Sequence, residues 1–107
     1  MTTYLGNALS LNMFDIGADG LQIDIRPILP AEIPADAISI IGHEDMAALV
    51  ARVLGRVVYV NRESVTLTQG DILFVAQYRG PRLAAGETQL PSGAKLEFYR
   101  VTTKRSS

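Results

Sequence analysis

The sequence predicts a single α/β domain, a mixed central sheet of about five strands with flanking helices, and three observations carry that expectation. Residues 44 to 54 repeat their apolar side chains with the period of a helix. Segments on either side of them are rich in β-branched and aromatic residues, and either alternate or run continuously apolar. The chain has 107 residues, of which 48% are hydrophobic and 20% charged, which suits one core of ordinary size and leaves no room for a second domain.

Taken in order, "TTYLGNAL" reads as a short strand that Gly6 and Asn7 turn. "LNMFDIGADG" reads as loop. In "LQIDIRPIL", Leu21, Ile23 and Ile25 alternate with Gln22, Asp24 and Arg26, the mark of a half-buried strand, and Pro27 ends it. From "LPAEIP" to Gly42 the pattern is mixed, and Pro34 ahead of "ADAISII" suits the first position of a short helix. The clear helix follows, with Met46, Leu49, Val50, Val53 and Leu54 on one face and Gly55 placed to end it in the left-handed conformation. Glu44 and Asp45 fall in its first turn, where exposed N–H groups favour negative charge, so His43 sits at the helix start.

Beyond Gly55, "RVVYV", "SVTLTQ", "DILFVAQY" and "AKLEFYRVT" read as strands. "ILFVA" suits a central strand covered on both faces, and "KLEFYRV" an edge or near-edge strand. Residues 79 to 93 hold three glycines and two prolines between two strong strand signals, which predicts an exposed, mobile loop.

Composition also narrows function. Cysteine is absent, which removes disulfides, thiolate metal sites and cysteine nucleophiles. No apolar run approaches the ~18 residues of a membrane span, and the N-terminus has no secretion signal, so a cytoplasmic location is expected, in the host cytoplasm if the chain is viral. A net charge of -1 argues against a protein that grips long nucleic acid duplexes. Charge is unevenly spread: residues 1 to 50 hold seven acids against Arg26 alone, and residues 51 to 107 nine bases against four acids. An anion site would draw on the second half, or the two sets neutralise each other across the surface. No nucleotide-binding loop, zinc pattern or serine-hydrolase elbow is present, and one histidine rules out a histidine-rich metal site in one chain. Metal-free, cofactor-free chemistry is therefore expected.

Three groups of residues are candidates for that chemistry. His43 lies where unpaired backbone N–H groups attract anions, and an imidazole there can give a proton to an oxygen leaving a phosphate; alternatively it is a plain N-cap or surface residue. Arg62 lies in "VNRES", and Arg79 and Arg82 lie in "QYRGPRL" just after Gln77; they suit phosphate recognition, or are solvated loop charge. Asn7, Ser10 and Asn12 in "GNALSLNMF" either bond their own backbone and cap a turn, or contact a nucleotide.

Together, "YLGNALSLNMF", "IGHED" with "AALV", "VNRESVTLTQGDILFVAQYRGPRL" and "LPSGAKLEFYRV" resemble, in order and spacing, a family of small proteins of archaeal and bacterial viruses and mobile elements. That family is similar to the viral anti-CRISPR ring nucleases, which destroy the cyclic tetra-adenylate messenger of type III CRISPR immunity. The likeness covers nearly the whole chain. It implies a homodimer with the ring across its two-fold axis, and attack by a ribose 2′-hydroxyl on its own 3′-phosphate to give linear di-adenylates without metal. In that likeness His43 is the general acid, Arg82 steadies the charged phosphorane, Arg62 holds the ligand, and Gln77, Asn7, Ser10 and Asn12 position the nucleotide. Arg79 shares the work of Arg82. The chain departs at Ala85, where the family pattern has glutamate; Glu87 is the nearest acid in sequence, and a shifted loop would let it substitute at the ligand. Two other readings stand beside this one: a protein that sequesters a cyclic nucleotide uncut, and a viral DNA-binding or host-interaction module.

Overall fold

The structure, a computed structural model, describes residues 1–105. Five strands form one sheet: β1 (Thr3–Gly6), β2 (Leu21–Pro27), β3 (Ile38–Ser39), β4 (Ile72–Arg79) and β5 (Lys95–Arg105). A single α-helix, α1 (Glu44–Leu54), and two short 3-10 turns, Leu11–Met13 and Pro30–Glu32, complete the regular elements among the described residues. Across the sheet the order is β2-β5-β4-β1-β3. β1 runs parallel to β3 and β4, whereas β5 runs antiparallel to β4 and β2, so the sheet is mixed. The continuous apolar run of β4 takes the middle place, with Leu73, Phe74, Val75 and Ala76 all buried. β5 lies one place in from the edge that alternating β2 occupies.

Because side chains alternate along a strand, β4 feeds two cores. Phe74 and Ala76 pack on one face with Leu5, Ile33, Ile41, Ala47, Val50 and Phe98, beneath α1. Leu73 and Val75 pack on the other with Phe14, Leu67 and Val101. The helix ends as its sequence predicts: Gly55 adopts φ 70°, and its N–H donates to the Ala51 carbonyl at 2.8 Å. Its buried stripe is shifted slightly. Ala47, Leu49 and Val50 are buried, and Val53, expected inside, is 38% exposed. Ala47, absent from the expected apolar stripe, packs in the core beneath the helix instead.

Three expectations are corrected. "RVVYV" and "SVTLTQ" form no strand; residues 57 to 66 run extended past the short β3 and are held at single points, such as the Asn61 N–H to Ile41 carbonyl bond at 2.8 Å. High β propensity becomes a strand only where a neighbour offers a ladder, and β3, only two residues long, offers none. Val57 and Tyr59 are left 71% and 75% exposed. No helix starts at Pro34: the chain makes a turn there, with the Ala37 N–H bonded to the Pro34 carbonyl, and enters β3, which supplies the fifth strand instead. The flanking helices reduce to α1 alone.

No helix among the described residues is long and apolar enough to cross a membrane. Between β4 and β5, residues 80 to 94 form turns without strand or helix, as the glycines and prolines predict. β1 has β3 on one side and β4 on the other, all parallel, so the chain leaves three adjacent strands at the same end of the sheet. In open α/β sheets such a switch point leaves a crevice at the carboxyl ends of the strands.

Candidate functional site

A cleft of about 560 Å³ lies at that switch point, lined by Asn7, His43, Asp45, Met46, Tyr78, Gly80, Arg82 and Leu83. Each of the three parallel strands contributes through the chain that follows it. Asn7 is the residue after β1, His43 opens α1 beyond β3, and Tyr78 to Leu83 end β4 and begin its loop.

His43 is the N-cap of α1, in extended conformation (φ -122°, ψ 126°), and its side chain makes no capping hydrogen bond. The imidazole is exposed beside the cleft, near N–H groups of the first turn that have no partner within the helix. Arg62 approaches from the extended segment. Its Nε donates to the Gly42 carbonyl at 2.6 Å, immediately before His43. A Cβ at Gly42 would stand 2.9 Å from the Arg62 Cγ, so glycine makes room for the arginine to lie across this strand end. Asn61 supports the same crossing, donating from Nδ2 to the Ser39 carbonyl at 2.9 Å.

Arg82 reaches the cleft on a loop fixed at both ends. The Tyr78 hydroxyl donates to the Pro81 carbonyl at 2.5 Å, and the Gly86 N–H donates to Asp45 Oδ2 at 3.1 Å. Gly80 is required for the first of these: a Cβ there would lie 2.5 Å from the Ala94 Cβ and 2.9 Å from the Tyr78 hydroxyl.

The remaining candidates lie elsewhere in the chain. Gln77 and Arg79 point to the opposite face of the sheet, where they line a second, smaller hollow of about 310 Å³ with Leu9, Ile25, Val75, Tyr99 and Val101. Alternation along β4 dictates this, since Tyr78 between them faces the cleft. Arg79 pairs with Glu97, and hydrogen bonds to Tyr99 and then Glu97 raise its pKa above the ordinary arginine value. Ser10 caps the 3-10 turn by accepting from the Asn12 N–H at 3.2 Å, the local role its sequence allowed. Glu87 accepts from the Gln89 N–H at 3.1 Å, within its own turn. A single chain thus brings Asn7, His43 and Arg82 together, sets Arg62 at their border, and separates Gln77 and Arg79 from them.

Sequence reasoning missed Asp45, Met46, Tyr78 and Leu83 as lining residues. Asp45 carried a signal, two positions after His43 in "GHED", but the favourable charge at a helix start already accounted for it.

Nothing among curated proteins matches the sequence. Among solved structures the fold is similar to B116 of Sulfolobus turreted icosahedral virus (STIV), with a TM-score of 0.72 and 24% sequence identity over 95% of this chain and 99% of that one. The family model described as STIV B116-like matches residues 3–97, which include every residue of the cleft. The chain belongs to the STIV B116-like family.

Proposed function

We propose that the protein is a metal-independent ring nuclease that opens cyclic tetra-adenylate into linear di-adenylates, and so silences type III CRISPR signalling on behalf of a virus or mobile element. The observation that carries this reading is the meeting of an uncapped His43 with Arg82 and Asn7 at the carboxyl ends of three parallel strands. An exposed imidazole, a guanidinium and an amide around an anion-favouring helix start are the groups that a phosphodiester cleavage needs.

In the step they support, the ribose 2′-oxygen attacks its own 3′-phosphorus. The P–O2′ bond forms as the P–O5′ bond breaks, and the nucleophile's proton passes to solvent. His43, as imidazolium, gives its proton to the departing 5′-oxygen. Arg82 offsets the charge added to the phosphorane, and Asn7 and Arg62 orient the ligand. The product end is a 2′,3′-cyclic phosphate facing a free 5′-hydroxyl, and two such cuts give two di-adenylates. The nucleophile belongs to the RNA, so the protein supplies position, one proton and one charge.

Incubation with cyclic tetra-adenylate in excess chelator tests the reading. Linear di-adenylates with cyclic phosphate ends are expected, and a ring left uncut overturns it. A second reading, sequestration without cleavage, is favoured by Ala85 in place of the family's glutamate, with Glu87 turned to its own loop. Tight binding of an intact ring identifies that outcome.

A further inference from the structure

We infer that Asp45 is a positioning residue, a latch that holds the loop of residues 80 to 94 against α1 and so sets Arg82 at the cleft; the catalytic half of this inference rests on the proposed ring-nuclease reading. Arg82 lies between two anchors. Behind it the Tyr78 hydroxyl holds the Pro81 carbonyl, and four residues ahead the Gly86 N–H meets Asp45 Oδ2. The first anchor is local to β4. The second reaches across 41 positions of sequence to the first turn of the helix that begins at His43. Among the described residues, Asp45 is therefore the one side chain that hydrogen-bonds the loop to the element carrying the imidazole, and it also lines the cleft itself.

The same contact brings a carboxylate beside Ala85. A carboxylate already stands in the cleft, supplied by the helix, and it accepts a backbone hydrogen bond from the residue directly after Ala85. As an acceptor from an N–H, it holds the loop without carrying a proton in the reaction. An asparagine side-chain oxygen can do the same, whereas alanine cannot.

Amide hydrogen exchange on the ligand-free protein gives the first test. The Gly86 amide of the wild type is expected to exchange more slowly than its loop neighbours, and Asp45→Ala to remove that protection while amides of β4 and β5 keep theirs. A Gly86 amide that exchanges freely in the wild type overturns the latch. Kinetics on cyclic tetra-adenylate give the second. Asp45→Ala is expected to lower kcat by about 10- to 100-fold with KM little changed, the scale of a misplaced catalytic group. Asp45→Asn is expected to restore kcat to within about threefold with an unaltered pH profile. An Asp45→Ala protein that keeps wild-type kcat, or an Asp45→Asn protein as slow as Asp45→Ala, overturns the positioning role. If the wild type leaves the ring intact, it is the ring-nuclease reading that fails, and the exchange arm still decides the latch.

Discussion

His43 occupies a helix N-cap without the short oxygen-bearing side chain that such positions favour, and it makes no capping bond. Serine or aspartate there would stabilise α1 by about 0.5–2 kcal/mol more. A residue that forgoes local stability in an exposed cleft fits use in chemistry. The assignment predicts that His43→Ala folds normally and binds cyclic tetra-adenylate within about tenfold of wild type, while cleaving about 100- to 10,000-fold more slowly, the range of a lost general acid. Single-turnover assays beside a binding titration measure both; wild-type cleavage by the variant removes His43 from the mechanism. His43 was legible as a candidate from its residue type and the helix start, and Arg82 and Asn7 from residue types suited to phosphate and nucleotide just beyond strand signals. Ser10 was legible too, but as the cap of a local turn.

At the scale of elements, β1 and β4 begin level with each other, Thr3 opposite Ile72, and one buried carboxylate helps to align them. Asp71 accepts from the Thr2 N–H at 2.8 Å, the Thr68 N–H at 2.9 Å and the Thr68 hydroxyl at 3.0 Å, tying the approach to β1 to the turn before β4. Burial works against its ionised form, but the hydrogen bonds from Thr68 and Thr2 outweigh it and place its pKa below the ordinary carboxylate value. A lowered folded-state pKa gives stability that is complete above the unfolded-state value and is lost as pH falls through the folded one. Asp71→Ala is therefore expected to destabilise the protein by about 1–3 kcal/mol at neutral pH, and its deficit relative to wild type to shrink on acidification. Thermal unfolding across that pH range checks the sign: parallel curves for the two proteins contradict it. The helix and β4 were readable from periodicity and apolar continuity, whereas β3 was not, since two residues, Ile38 and Ser39, carry no period.

For the molecule as a whole, the sheet separates two sets of polar groups. Asn7, His43 and Arg82 lie on the helix side; Gln77 and Arg79 lie on the other. A cleft of about 560 Å³ is the size that encloses one drug-sized ligand, and a ring of four nucleotides overruns it. Under the proposed function, two copies related by a two-fold axis would present equivalent clefts to equivalent halves of the ring. Native mass spectrometry is expected to find one ring for every two chains. A complex of one ring with one chain removes the dimer from the proposal.

The sequence by itself determined which segments were able to form regular structure and which residue types were able to handle phosphate, because helical period, apolar continuity and side-chain chemistry are local properties. Tertiary structure alone decided which of them did. It withheld strands from "RVVYV" and "SVTLTQ" for want of a pairing edge, and it chose Tyr78 over Gln77 for the cleft through the alternation of β4. It also joined Asp45 to Gly86 across 41 residues. Pairing, facing and long-range hydrogen bonds depend on where other parts of the chain lie, and no window of sequence contains that information.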